Sequence, residues 1–149
     1  MNRRFGFETE LYTTLTCLPL AARHKLDMIG IKVSIKQWLA LEMNERRTLC
    51  EMPAESEQER RTMSEFVCGL ILQRCGERPA ALSQEQQASA VPPSQPPTGI
   101  AEQASALGYE LNAVGWKTLD NDQRYALLKF SGDDRRRAKF AAALKEFFG

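Results

Sequence analysis

The sequence has few of the side chains on which most enzymes and metal sites depend. Its 149 residues include one histidine, His24, and four cysteines, no two of which form a CxxC pair. A structural zinc ion needs four closely spaced nitrogen or sulfur ligands, so we predict no metal site. A phosphate-binding glycine loop, a GxSxG turn and an HExxH motif are also absent. We therefore assign no catalytic residue and no cofactor, and we favour a protein that is not an enzyme.

Long apolar runs and an excess of one charge are absent too. No segment approaches the roughly 20 apolar residues of a membrane-spanning helix, and Glu8 and Glu10 interrupt the region where a signal peptide needs apolar residues. We expect a cytoplasmic protein without membrane contact, in which the four cysteines are reduced, buried and inert. The net charge of +1 argues against a nucleic-acid-binding protein.

The sequence does contain a series of helix signals. Pro19 and Gly30 are placed to begin and end one helix with an apolar stripe, and this helix places His24 on its solvated side. Ser34 and Gln37 have the spacing of a capping box. Taken together, the signals predict an all-α single domain of six to eight helices that spans residues 1–149.

Further along the chain, the longest predicted helix follows Ser56 and ends before Gly76. A loop through Asn112 and Gly115 is expected to lead to the next helical segment. Asp120 is a predicted N-cap. The last helix should begin near Asp133 and Asp134 and bury Phe140, Leu144 and Phe147, with Ala141 and Phe148 beside them.

Between these helical regions, residues 77–98 have a different composition. They include five of the seven prolines, together with glutamine, serine and alanine, and almost no large apolar side chain. Such a segment buries too little surface to offset the entropy of ordering. We predict a disordered Pro/Gln/Ser-rich insert that forms a flexible linker or surface loop within the domain.

One pattern occurs twice. Its residues are Trp38, Leu41, Arg46 and Leu49, which return 78 positions later as Trp116, Leu119, Arg124 and Leu127. Each copy predicts a structural corner between two helices, in which the tryptophan and leucines pack and the arginine lies at the rim. The repetition indicates either an internal duplication or a corner that simply packs well.

Lys25 lies unusually close to the apolar stripe of its helix, whereas Arg23 and Asp27 lie opposite, one helical turn apart. A lysine in this position either extends its ammonium to the rim, pairs with a carboxylate, or belongs to a functional surface. The candidate contact or anion-binding surface consists of Arg23, Lys25, Asp27, Lys32, Arg46 and Arg124.

The segment RHKLDMIGIKVSIKQW, from Arg23 to Trp38, resembles the bacterial nitrate reductase-associated protein family, as do the RYALLK residues that end at Lys129. The similarity covers residues 5–78 and 98–149. It implies genes near those of nitrate reductase and molybdopterin biosynthesis, with no established activity and no catalytic residues. We therefore expect an accessory or interaction protein of nitrate assimilation, whose partner is a molybdenum-dependent nitrate reductase or its cofactor-maturation machinery.

Two alternatives from other functional classes stay open. A small-molecule or anion-binding module would bring Lys25, Arg23 and Lys32 together in a concave pocket. A nucleic-acid-binding helical protein would use the basic cluster Arg135–Lys139, although the near-neutral net charge argues against it.

Overall fold

The computed structural model describes residues 4–131 and 134–149. These ranges contain ten α-helices and one two-stranded sheet, which confirms the predicted all-α class. The count exceeds the predicted six to eight because several helices span only four to six residues. Within the same ranges, no helix combines the length and apolar character that a membrane span requires.

The chain divides into two compact units, Met1–Ala90 (unit 1) and Val91–Gly149 (unit 2). Unit 1 contains a 3-10 helix at Gly6–Glu8, followed by α1 (Leu11–Thr14), α2 (Leu20–Ile29), strand β1 (Ile31–Lys32), α3 (Ile35–Ala40), α4 (Met43–Glu51), α5 (Glu57–Cys75), strand β2 (Ala80–Ala81) and α6 (Gln84–Ala88). The prediction of one domain over residues 1–149 stays a prediction.

The core of unit 1 forms where α2, α3, α4 and α5 pack. Its buried members are Leu15, Leu26, Ile31, Trp38, Leu41, Leu49, Ala54, Met63, Val67 and Ile71. Met63, Val67 and Ile71 recur every four residues along α5, so one face of this long helix covers the core.

Local signals define the helix ends in unit 1. Pro19 is the N-cap residue of α2, and Gly30 follows the helix with φ = 79°. A side chain at Gly30 would be strained at this φ, and its Cβ would lie 2.9 Å from Gln87 Oε1. Ser34 Oγ accepts from Gln37 N at 3.1 Å, and Gln37 Oε1 accepts from Ser34 N at 3.0 Å, which confirms the predicted capping box.

Residues 77–98, predicted to be a disordered insert, contain secondary structure. Strand β2 pairs antiparallel with β1, with Ile31 opposite Ala81. In α6, Gln87 Nε2 donates to Met28 O of α2 at 2.9 Å, and Ala90 is only 1% exposed. Backbone pairing and amide hydrogen bonds supply the order that composition alone did not indicate.

Unit 2 contains α7 (Thr98–Ala106), α8 (Ala113–Thr118), α9 (Asn121–Ser131), a 3-10 helix (Asp134–Arg136) and α10 (Arg137–Phe148). Its buried residues include Ile100, Ala104, Leu111, Trp116, Leu119, Tyr125, Ala126, Leu127, Phe130, Phe140, Ala143 and Leu144. The loop predicted through Asn112 and Gly115 is wrong, because Asn112 Oδ1 accepts from Gly115 N at 2.9 Å and caps α8.

The last helix begins later than predicted. Asp133 lies outside the described residues, and Asp134 begins the 3-10 helix that precedes α10. Phe140 and Leu144 are buried as expected, whereas Phe147 is only partly buried and Phe148, in the last turn, is 38% exposed. The buried face of α10 thus ends before its last turn.

Candidate contact surface

Arg46 closes the corner between α3 and α4. Its Nε donates to Trp38 O at 3.1 Å and its Nη2 to Leu39 O at 2.9 Å. Leu41 N also donates to Trp38 O, so the guanidinium adds a second donor to Trp38 O and supplies one to Leu39 O at the end of α3, where helix carbonyls have few intrahelical partners. A third contact, from Nη1 to Leu15 O at 3.4 Å, joins this corner to the segment before α2.

Trp38, whose carbonyl accepts from Arg46, is 1% exposed. Its indole Nε1 donates to Leu15 O at 2.8 Å, so the same carbonyl accepts from Trp38 and Arg46. Leu15 has φ = 48°, an unfavourable region for a side chain with a Cβ. Two donors and burial in the core hold Leu15 in this conformation.

Arg124 occupies the corresponding place in unit 2. Its Nε donates to Trp116 O at 3.0 Å and its Nη2 to Lys117 O at 3.4 Å, at the end of α8. Nη1 donates to Asn121 Oδ1 at 3.3 Å. Trp116 is fully buried, and its Nε1 donates to Pro93 O at 2.8 Å. The second corner therefore repeats the indole contact and the Nε and Nη2 contacts of the first, whereas the Nη1 partner differs.

Lys25 contacts the end of α4. Its Nζ donates to Cys50 O at 2.8 Å and to Met52 O at 2.6 Å. A cation at a helix C-terminus is favourable because the free carbonyls give that end a partial negative charge. The ammonium thus has a structural role between α2 and α4.

Within the described part of unit 1, the candidate cations Lys25 and Arg46 do not share an acceptor. Lys25 and Arg46 donate to different sets of main-chain carbonyls. Arg23 and Asp27 are partly buried on α2, whereas Lys32 is exposed on β1. Arg124 belongs to unit 2. The structure therefore assigns the three basic residues Lys25, Arg46 and Arg124 to helix ends.

His24 was predicted to be solvated, and this prediction is wrong. The side chain is 4% exposed, and Nε2 lies 2.9 Å from Ala90 O. Because a carbonyl oxygen only accepts, Nε2 must bear the hydrogen in this contact. The residues that follow α6 pack against this side of α2 and bury His24. Helical periodicity describes one helix and could not predict this tertiary contact.

A model of the family described as conserved nitrate reductase-associated protein matches residues 4–147. The chain belongs to this family. These bounds enclose residues 77–98, which lie outside the resemblance described from the sequence motifs. Neither the curated proteins nor the solved structures that were searched gave a match.

In this member of the nitrate reductase-associated family, the expectation that all four cysteines are buried is wrong. Cys17 is exposed in the segment before α2, and Cys50, Cys68 and Cys75 are partly buried free thiols. Burial raises the pKa of Cys50 to about 11, and nearby Lys25 opposes part of that rise. Among the described residues, no three His, Cys, Asp or Glu side chains are grouped to hold a metal ion.

The basic cluster Arg135–Lys139 lies at the start of α10. Arg136 Nη1 donates to Lys129 O at 3.2 Å, near the end of α9. Arg135, Arg137 and Lys139 are exposed. One member of the cluster therefore contributes to packing within unit 2, and three are exposed.

A bidentate ion pair that sequence reasoning missed joins α4 to α5. Arg74 donates from Nε to Glu45 Oε1 and from Nη2 to Glu45 Oε2, each at 3.1 Å. Glu45 also accepts from Glu42 N at 2.8 Å, which caps α4. The Arg74 hydrogen bonds, helped by the backbone N–H of Glu42, hold the pKa of Glu45 below its ordinary value.

Replacing Glu45 with glutamine should therefore destabilise unit 1 in a pH-dependent way. The amide keeps the hydrogen bond from Glu42 N but loses the charge opposite Arg74, so we expect a loss of about 0.5 kcal/mol at pH 7. Since the folded-state pKa is lowered, this difference from wild type should shrink below pH 4.5 and vanish below the lowered pKa. Urea unfolding between pH 3 and pH 7 measures it. Glu57→Gln, on a 91% exposed side chain, is the control and should give no such trend.

Proposed function

We propose that this chain is a non-catalytic accessory protein of nitrate assimilation that binds nitrate reductase or a protein that matures its molybdenum cofactor. Its membership of the nitrate reductase-associated family, over residues 4–147, is the observation that supports this proposal. Binding to a protein partner requires an accessible surface with an apolar centre rather than a catalytic constellation. Such a surface should lie outside the residues that hold the helix ends.

Helix α3 provides this kind of surface in unit 1. Ile35 is 57% exposed and Leu39 is 48% exposed, one helical turn apart on α3. On its other side, α3 buries Gln37 and Trp38. The helix therefore has an apolar residue on its buried side and two on its exposed side. Lys36, between the two apolar residues, is exposed and provides charge beside them. An apolar centre with charged surroundings is the usual anatomy of a protein interface.

The geometry favours protein binding over the anion-binding alternative. Lys25 and Arg46 already donate to main-chain carbonyls at the ends of α4 and α3. An anion that bound these cations would have to replace those charge-assisted hydrogen bonds to the carbonyls, which is unfavourable. A protein partner that covers α3 does not have to break any of these hydrogen bonds.

Copurification tests the proposed function. Tagged chain, expressed during growth on nitrate, should retain nitrate reductase or a protein of molybdenum-cofactor synthesis, identified by mass spectrometry. The double variant Ile35→Glu with Leu39→Glu should reduce the retained amount at least tenfold, corresponding to about 1.4 kcal/mol of binding free energy. Two charges at the apolar centre should prevent a partner from covering α3.

The matched control is Val114→Glu, because Val114 is 72% exposed on α8 of unit 2. It should leave retention unchanged, and all variants should keep the helical circular dichroism of the wild type. Absence of every reductase and cofactor-synthesis protein from the eluate, with these proteins expressed, would overturn the proposal. Deletion of the gene should also slow growth when nitrate is the sole nitrogen source, and not when ammonium is.

A further inference from the structure

We infer that the chain is a tandem duplication of one helical unit, in which residues 15–52 correspond to residues 93–130 at a constant separation of 78. In this correspondence, Lys25 and Gln103 are equivalent residues. Each donates at least one hydrogen bond to a main-chain carbonyl at the end of the helix that follows the corner. The inference concerns the architecture of both units and does not depend on the proposed function.

The first helix of each copy begins at the same position and is followed by a left-handed glycine at the same position, although α7 ends one residue earlier than α2. Pro19 is the N-cap of α2 and Pro97 is the N-cap of α7, 78 positions later. Gly30 and Gly108, again 78 positions apart, both have positive φ, 79° and 87°. Two different left-handed glycines at the same distance from two different N-cap prolines are not explained by the corner pattern.

The capping residues of the next two helices also correspond. Ser34 caps α3 and Asn112 caps α8, each by accepting a backbone N–H three residues later. The following helices each begin with a reciprocal side-chain box, formed by Glu42 with Glu45 and by Asp120 with Gln123. The chemical types differ between copies, whereas the cap positions are the same, and Asn112 lacks the return bond that Gln37 gives Ser34 because Gly115 has no side chain.

The acceptors of the two indoles provide the strongest match. Trp38 donates to Leu15 O and Trp116 donates to Pro93 O, both at 2.8 Å and both 23 residues upstream. Both acceptors are main-chain carbonyls, so the match lies in the backbone position and does not depend on the different side chains of leucine and proline. A corner that packs well by itself would explain the matching side chains within residues 38–49. It would not explain why each indole donates to a carbonyl 23 residues upstream. Correspondence without a gap, from residue 15 to residue 52, favours duplication.

The correspondence explains Lys25. The residue at its position in the second copy is Gln103, whose Nε2 donates to Ser131 O at 2.9 Å, at the end of α9. Ser131 corresponds to Pro53, so this acceptor lies one residue beyond the counterpart of Met52, and the two copies share the donor position and the helix end but not the same carbonyl. Lys25 donates to Cys50 O and Met52 O at the end of α4. The counterpart of Cys50 O, Leu128 O, accepts from the Ser131 hydroxyl at 2.9 Å. Both copies thus use a side chain from the first helix to supply a donor to the end of the third.

Exchanging the two residues in the full chain tests this equivalence. Lys25→Gln and Gln103→Lys each install the residue of the other copy, and each should leave the Tm within about 2 °C of wild type. Lys25→Met keeps an aliphatic side chain but has no ammonium group. The carbonyls of Cys50 and Met52 therefore lose their hydrogen-bond donor from position 25. We expect this variant to lower the Tm by about 5 °C.

Thermal unfolding followed by circular dichroism gives the result. If either exchange lowers the Tm as far as Lys25→Met does, Lys25 and Gln103 are not equivalent and the inferred correspondence is wrong. If Lys25→Met fails to fold, the comparison of Lys25→Gln and Gln103→Lys with wild type still decides the question. A Lys25→Met variant with an unchanged Tm would also overturn the inference, because the capping contact would then contribute nothing.

Discussion

Replacing Trp38 with alanine should lower the free energy of unfolding by about 4 kcal/mol, and Trp116→Ala should have an effect of the same size. Both indoles are essentially inaccessible, with exposures of 1% and 0%, and each fills the angle of its corner. Truncation removes the apolar contact, leaves a cavity, and removes the donor to Leu15 O or Pro93 O. Urea unfolding monitored by circular dichroism measures the loss.

Phenylalanine at the same positions separates packing from hydrogen bonding. Trp38→Phe keeps much of the buried ring but has no N–H, so we expect a loss of about 1–2 kcal/mol from the unpaired Leu15 carbonyl and the smaller ring. Ile35→Ala, on a side chain that is 57% exposed, is the control and should change stability by less than about 0.5 kcal/mol. Equal losses for Trp38→Phe and Trp38→Ala would contradict a major contribution from packing.

The helix boundaries were predictable where local chemistry determines them. Pro19, Gly30, Ser34 and Asp120 act through their own backbone preferences and through hydrogen bonds to residues three positions away. Such signals do not depend on the rest of the fold, and the structure confirms them. Helix α8 was missed because six residues are too few for a helical period to show, and its one local signal, Asn112, was interpreted as part of a loop.

Order in residues 77–98 depends on partners that are distant in sequence. Gln87 donates to Met28 O, 59 residues away, and Ala90 O accepts from His24, 66 residues away. Composition measures the ability of a segment to fold alone, and it contains no information about these acceptors and donors. The burial of His24 and the contacts made by residues 77–98 therefore have one cause, which is a tertiary contact between α2 and the residues around α6.

The candidate surface was only partly predictable for a related reason. The sequence marked Lys25 and Arg46 as unusual, but their acceptors are main-chain carbonyls, which every residue has and no motif identifies. Sequence reasoning thus found the cations and left their role open between structure and function. The same applies to the duplication, because four matching side chains were visible, while the matching backbone contacts of Leu15 and Pro93 required the fold.

Removal of the corner arginine should give the second large effect. Arg46→Ala is expected to lower the free energy of unfolding by about 2–3 kcal/mol, because the carbonyls of Trp38 and Leu39 lose charge-assisted donors at the end of α3. Arg124→Ala should lower it by about 1–2 kcal/mol, since its contact to Lys117 O is longer, at 3.4 Å. Urea unfolding of both variants beside wild type measures the two losses.

Lysine at position 46 is the matched control, because it keeps the positive charge and an aliphatic stem. A lysine ammonium lacks the planar fork through which Nε and Nη2 reach two successive carbonyls at once. We therefore expect Arg46→Lys to recover less than half of the stability lost in Arg46→Ala. Full recovery would mean that charge near the end of α3 suffices and that the bidentate geometry is unimportant. Little recovery would instead attribute the stability of the corner to the guanidinium fork, which both copies of the unit retain.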